Sequence, residues 1–152
     1  MARSYKSGRF KPRNPHKYRG DVSNIVFRSS WEYVALDRLD RDPSVLEYSS
    51  EETVIPYYNP LTGNTHRYFP DLKIKKKMPD GSIKTFLVEI KPEGQVSPPK
   101  GKKTKRFDEA MKTFIKNQAK WAAAKKYCED RGFQFVIETE HTLGIARSKR
   151  GK

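Results

Sequence analysis

The stretch that decides the fold is Arg67–Pro92, RYFPDLKIKKKMPDGSIKTFLVEIKP. Pro70-Asp71 opens one strand, Glu89-Ile90-Lys91 ends the next, and Met78-Pro79-Asp80-Gly81-Ser82 lies between them. Gly81 supplies a left-handed residue in that turn, so the two strands read as a β-hairpin. In the second strand Phe86, Val88 and Ile90 share one face, while Leu87, Glu89 and Lys91 share the other. Antiparallel pairing then sets Asp71 beside Glu89 and Lys91 at one end of the sheet. A one-residue slip in register would move Glu89 and Lys91 to the opposite face and dissolve the grouping.

That grouping has an electrostatic consequence. Two carboxylates pressed together repel, and one ordinarily takes up a proton. A divalent cation removes the conflict, and hard oxygen ligands with room for water and phosphate suit Mg²⁺. Asp71 and Glu89 are the expected ligands, with the Ile90 carbonyl as a further one. Lys91 is placed to orient a hydrolytic water or to offset charge on a phosphorane-like transition state. Pro-Asp or Glu-x-Lys alone is a common string; the two in order across a hairpin carry the inference.

The surrounding chain bounds the function. With Lys plus Arg at 32 and Asp plus Glu at 18, the formal net charge is +14. A polyanion is the expected partner, nucleic acid first, and no membrane partner is expected. Cys128 is the lone cysteine, which excludes an internal disulfide and fits a reducing compartment. Three histidines and one cysteine do not build a conventional zinc site. The basic N-terminus has no apolar segment of the signal-peptide kind. No small-molecule cofactor is implied.

Taken in order, residues 1–20 read as a basic arm, interleaved with Tyr5, Phe10 and Tyr18 and broken by Pro and Gly. Arg9, Lys11, Arg13 and Lys17 are its candidate DNA contacts. Residues 21–146 form the expected domain. Ser29-Ser30-Trp31-Glu32 is a capping box opening a helix that ends before Pro43. Glu32 shares a face with Ala35, Leu36 and Leu39, so it is either a cap or a third acid turned toward the cation. Strands follow at 44–47, 52–57 and 65–69, the last expected to continue into the hairpin. Residues 92–106 form a flexible basic loop, with Lys102, Lys103, Lys105 and Arg106 as candidate DNA contacts. A helix from Phe107 to about Arg131 carries a stripe through Phe107, Met111, Phe114, Gln118, Trp121 and Cys128. Gln118 and Lys120 are weaker candidates for contacts to phosphate or to the attacking water. A strand at 133–139 and a basic tail at 147–152 complete the chain.

Glu32, Pro70-Asp71, Glu89-Ile90-Lys91 and Gln118-Ala-Lys120-Trp121, in this element order, resemble the PD-(D/E)xK nuclease superfamily. Arg28-Ser-x-Trp-Glu32, Arg67-Tyr-Phe-Pro-Asp71 and Val88-Glu-Ile-Lys91 are similar to the endonuclease subunit of certain cut-and-paste transposases. A resemblance extending to Gly8-Arg-Phe-Lys-Pro12 and Asn14-Pro-His-Lys-Tyr18 is to nucleases of bacteriophage head maturation. The resemblance implies an α/β, restriction-endonuclease-like three-layer core, its mixed sheet flanked by helices in the order helix–strands–hairpin–helix–strand. It implies a metal-dependent deoxyribonuclease with catalytic Glu32, Asp71, Glu89 and Lys91. The expected cation is Mg²⁺ held by Asp71, Glu89 and Glu32, with Mn²⁺ able to substitute. It also implies double-stranded DNA and head or neck proteins as partners, and the host cytoplasm as the place of action. The seventeen residues 72–88 between the two acids are a wide gap for the superfamily, which a long hairpin accommodates. A non-catalytic DNA-binding virion protein and a junction-resolving endonuclease are the alternatives; endo and exo modes stay open.

Overall fold

The computed structural model describes residues 7–145; residues 1–6 of the expected arm and the basic tail 147–152 lie outside the described residues. The elements in chain order are β1 (Gly8–Arg9), β2 (Val26–Phe27), α1 (Ser30–Arg41), β3 (Val45–Ser50), β4 (Ile55–Asn59), β5 (Asn64–Tyr68), β6 (Leu72–Lys77), β7 (Ile83–Ile90), α2 (Lys105–Arg131) and β8 (Gln134–Glu138).

The hairpin forms as its turn chemistry requires. Gly81 adopts φ 89°, and Asp80 Oδ1 accepts the Ser82 backbone N–H at 2.9 Å. β6 and β7 pair antiparallel in a register running from Lys77 opposite Ile83 to Leu72 opposite Val88. The next pair in that register is Asp71 opposite Glu89. β3 adds antiparallel to β6, and β8 adds parallel to β7, giving a mixed sheet in the order β3-β6-β7-β8. Parallel pairing of β7 with β8 needs a crossover, and α2 supplies it.

Alternation along β7 divides the core into two layers. Val88, Ile90 and Leu72 pack with Ala35 and Leu36 of α1 and with Phe10, Ile25 and Phe27. Leu87 packs on the other face with Trp121, Ala124 and Cys128 of α2 and with Ile55, Tyr57 and Tyr68. A helix on each face of a mixed sheet is the three-layer arrangement that the resemblance implies.

Both helices stop where their residues demand. Ser29 caps α1 by accepting the Glu32 backbone N–H at 3.2 Å, and Asp42 ends the helix just before Pro43. α2 is one continuous helix from Lys105 to Arg131. Gly132 closes it at φ 73°, donating its N–H to the Cys128 and Glu129 carbonyls; a side chain at that left-handed position would be strained.

Three expectations need correction. β5 does not run on into the hairpin. It pairs with β4 in a separate two-stranded ribbon, because Phe69 and Pro70 break the strand before β6 begins. Pro56 then sits on a ribbon with one partner, where its missing N–H costs no ladder bond. Secondly, residues 8–20 are not a solvated arm. Phe10 and Tyr18 are buried. Asp40 is buried too, accepting backbone N–H bonds from Arg13 at 2.9 Å and Asn14 at 3.2 Å, and the Tyr48 hydroxyl at 2.9 Å. Lys17 therefore leaves the set of DNA contacts. Its ammonium is buried and donates to the Leu39, Asp40 and Asp42 carbonyls, each at 2.8 Å. These orphan carbonyls at the C-terminal end of α1 favour a cation.

The third correction concerns α2. Its buried residues are Asn117, Trp121, Ala124 and Cys128; Gln118 faces solvent. A step of one residue rotates a side chain by about 100° around a helix, so the polar gap in the stripe belongs to Asn117. No helix among the described residues is long and apolar enough to cross a membrane.

Candidate active site

The two hairpin acids meet where the register puts them. Asp71, one residue before β6, accepts the Ile90 backbone N–H on Oδ2 at 2.7 Å. Glu89, near the end of β7, is buried. Its Oε1 accepts the Tyr68 hydroxyl at 2.5 Å, and its Oε2 lies 3.7 Å from the Lys91 ammonium. Glu89 projects to the α2 side of the sheet, as Leu87 does. Lys120 comes from α2 to the same place, its ammonium 5.5 Å from the centre of the Tyr68 ring and 6.0 Å from that of Tyr57.

The electrostatics are those of charge held back from water. Burial pushes the Asp71 carboxyl up to about 8; the Glu89, Glu32 and Glu51 carboxylates add to the rise, and the Ile90 N–H opposes it. Glu89 is raised as well, chiefly by burial, against the Tyr68 hydroxyl and the Lys91 and Lys120 ammonium groups. Burial also pushes Lys120 below the ordinary lysine value, with Lys116 and Lys91 adding to the fall and Glu89 and Asp71 resisting it. Ionisable groups with displaced pKa values gathered in one place are a mark of functional sites.

Glu32 does not complete a three-carboxylate ligand set. Among the described residues no group of three or more His, Cys, Asp or Glu is close enough to hold an ion. Glu32 is held at the start of α1. Glu32 Oε1 accepts the Arg28 backbone N–H at 2.8 Å, which ties the carboxylate to the helix entrance. Moreover α1 packs on the opposite face of the sheet from Glu89. Glu32 still acts on the site through space: its carboxyl is raised first by burial, with Glu51 and Glu89 contributing.

Sequence reasoning missed two neighbours. Glu51 follows β3, and its backbone N–H donates to the Asp71 carbonyl at 3.1 Å. Its carboxylate is ion-paired with Arg28, so an Arg–Glu pair stands at the rim beside Asp71 and Glu32. Pairing of β3 with β6 is the signal that would have placed it. The second is Tyr68, three residues before Asp71, for which periodicity gives no warning.

Asp71 and Glu89 fit a hard divalent cation. They are oxygen donors, largely buried and mutually repelling, and Mg²⁺ is commonly held by one or two carboxylates with water and phosphate filling the remaining positions. A hollow of about 490 Å³ lies elsewhere, lined by Arg19, Glu47, Lys73, Lys75 and Phe133 but by neither acid.

The remaining cations divide. Arg9, Lys11 and Arg13 are exposed, as are Lys102, Lys103, Lys105 and Arg106 at the entrance to α2. Three of the hairpin lysines have partners: Lys75 with Glu47 at 3.9 Å and Lys76 with Asp42 at 4.0 Å, and Lys73 over the Phe133 ring at 5.3 Å.

Comparison with known proteins places the chain in a family. The family described as TnsA-like endonuclease N terminal matches residues 42–140, a stretch that includes Asp71, Glu89, Lys91 and Lys120 and begins after Glu32. The chain is also 38% identical over 143 residues to the head completion nuclease of Enterobacteria phage T4, covering 90% of this chain and 93% of that protein. No solved structure matches. With its mixed sheet, its acid-bearing hairpin and a family match across most of the domain, the chain belongs to the TnsA-like endonuclease N-terminal family.

Proposed function

We propose that this protein is a phage head completion nuclease, a DNA phosphodiesterase working with Mg²⁺ and accepting Mn²⁺. One observation carries the reading: Asp71 and Glu89, from opposite strands of a hairpin, share a buried sheet end with Lys91 and Lys120. The 38% identity to a head completion nuclease supports the biological setting, with head or neck proteins as partners inside the infected cell.

The geometry supports a division of labour. Asp71 and Glu89 hold the cation, and the Ile90 N–H fixes the Asp71 carboxylate. When bound, the cation polarises a phosphoryl oxygen and makes water a better nucleophile. Lys91 orients that water or offsets the negative charge that grows on the phosphoryl oxygens, an interaction strengthened where water is excluded. Lys120, half-buried over two aromatic rings, adds a second positive charge on the same side. Glu32 and Glu51, with Arg28 between them, form the opposite rim. Outside the site, Arg9, Lys11, Arg13, Lys102, Lys103, Lys105 and Arg106 supply affinity for the duplex irrespective of sequence.

The test is incubation with supercoiled, linear and branched DNA, with and without Mg²⁺, for the natural chain and Asp71→Ala. The expected result is Mg²⁺-dependent cleavage that Asp71→Ala abolishes while DNA binding persists. Binding with no cleavage of any substrate would leave a non-catalytic DNA-binding virion protein. Strong preference for the branched substrate would make it a junction-resolving enzyme.

A further inference from the structure

Glu89 has a partner at each of its two oxygens. Oε1 takes the Tyr68 hydroxyl at 2.5 Å, and Oε2 faces Lys91 at 3.7 Å. Tyr68 is buried at 3% exposure, and it reaches Glu89 from the end of the β4–β5 ribbon, outside the four-stranded sheet. The ring is locked from several sides: Ile55, Tyr57, Leu87 and Trp121 pack in the same cluster, and Lys120 lies over its face at 5.5 Å. The Trp121 indole N–H lies near the Tyr68 hydroxyl without reaching hydrogen-bond geometry with any group.

A hydroxyl that donates to one carboxylate oxygen has two effects. It favours the ionised form, since an ionised carboxylate accepts hydrogen bonds far better than a protonated one. It also withdraws that oxygen from competition for a cation. From this arrangement we infer that Tyr68 is a positioning residue of the candidate metal centre: it commits Glu89 to binding a divalent cation through Oε2 alone. The inference rests on the proposed metal-dependent reading of Asp71 and Glu89. It gives the ribbon a task that packing alone does not require, which is to deliver a fixed hydroxyl beneath the strand carrying Glu89. Partners of this kind orient the groups that touch a metal, and their loss typically weakens metal binding by about 10- to 100-fold.

The test is calorimetric titration of the DNA-free protein with Mn²⁺. Four chains are compared with the natural one: Tyr68→Phe, Tyr68→Met, Tyr57→Phe and Asp71→Asn. Tyr68→Phe removes one oxygen and keeps the ring, and Tyr68→Met is a second hydroxyl-free variant should the first fail to fold. Tyr57→Phe removes a neighbouring hydroxyl from the same apolar cluster. The expected result is binding of one Mn²⁺ that Asp71→Asn abolishes, that both Tyr68 variants weaken by about 10- to 100-fold, and that Tyr57→Phe leaves unchanged. Unchanged affinity in the Tyr68 variants, with Asp71→Asn still abolishing binding, overturns the role of Tyr68 alone. Equal weakening by Tyr57→Phe and Tyr68→Phe also overturns it, since packing would then be the cause. Absence of Mn²⁺ binding by the natural chain sinks this inference and the metal-dependent reading together.

Discussion

Replacing Asp71 by Asn should make the metal-free protein more stable, although it destroys the proposed chemistry. The Asp71 carboxyl is moved from 3.8 to about 8, first by burial and then by the Glu89 carboxylate. In the folded protein it keeps its proton where the unfolded chain has already lost it. Folding then takes up a proton, so stability is fully present below the unfolded value and declines as the pH rises from near 4 to about 8. At pH 7 roughly three units separate the solution from the unfolded value, at about 1.4 kcal/mol each, so the penalty is on the order of 4 kcal/mol. Asn retains an oxygen for the Ile90 N–H and carries no charge. Glu89 bears part of the strain and keeps its own burial, so the expected gain is about 2–4 kcal/mol at pH 7 and close to zero near pH 4. For a chain of this size that is a rise in Tm of about 5–10 °C. Thermal unfolding in EDTA at pH 5 and pH 8 measures it. In saturating Mg²⁺ the order should invert, because the natural chain gains binding free energy that the variant lacks. An Asp71→Asn protein less stable than the natural chain at pH 8 in EDTA, or a difference that does not grow with pH, refutes the reasoning.

Other substitutions probe the remaining parts. Lys91→Ala should lower single-turnover cleavage by about 10²–10³-fold with DNA affinity unchanged; equal losses in binding and cleavage would reduce Lys91 to a phosphate contact. Asp40→Ala should cost about 3 kcal/mol or more, because it strips buried N–H and hydroxyl donors of their acceptor and leaves Lys17 without its nearby carboxylate. Urea unfolding reads that loss, and deletion of residues 1–20 should show a similar or larger one. Changing Lys102, Lys103, Lys105 and Arg106 together to Ala should flatten the log–log salt dependence of duplex binding by about 0.9 for each phosphate that is no longer neutralised. An unaltered slope would remove this segment from the DNA surface.

Much of the site is legible because it is written in short-range signals. Asp80-Gly81 sets the hairpin turn, alternation through Phe86–Ile90 sets which residues share a face, and together they place Asp71 against Glu89. Ser29 and Glu32 announce the start of α1, and Gly132 the end of α2. What escapes depends on partners distant in the chain. Lys17 looks like any solvated lysine until three carbonyls at the end of α1 are brought around it. The separate ribbon of β4 and β5 is invisible to periodicity, which describes a strand but does not name its neighbour. Asn117 and Gln118 are both amides one step apart on a helix, and only packing decides which turns inward. Glu32 reads as a ligand because it shares the sheet-facing stripe of α1; the stripe is right, but α1 packs on the face of the sheet away from Glu89.

The order of pairing around β7 has a temporal consequence. Asp71 and Glu89 become neighbours as soon as the hairpin zips, an event among residues close in the chain. Glu89 and Lys91 acquire their enclosing wall only after the 27-residue α2 has crossed over and β8 has docked. Before α2 and β8 dock, the two acids form at most an open, hydrated pair, since a lone two-stranded hairpin is only marginally stable in water, and competence to cut should arrive when the last strand closes.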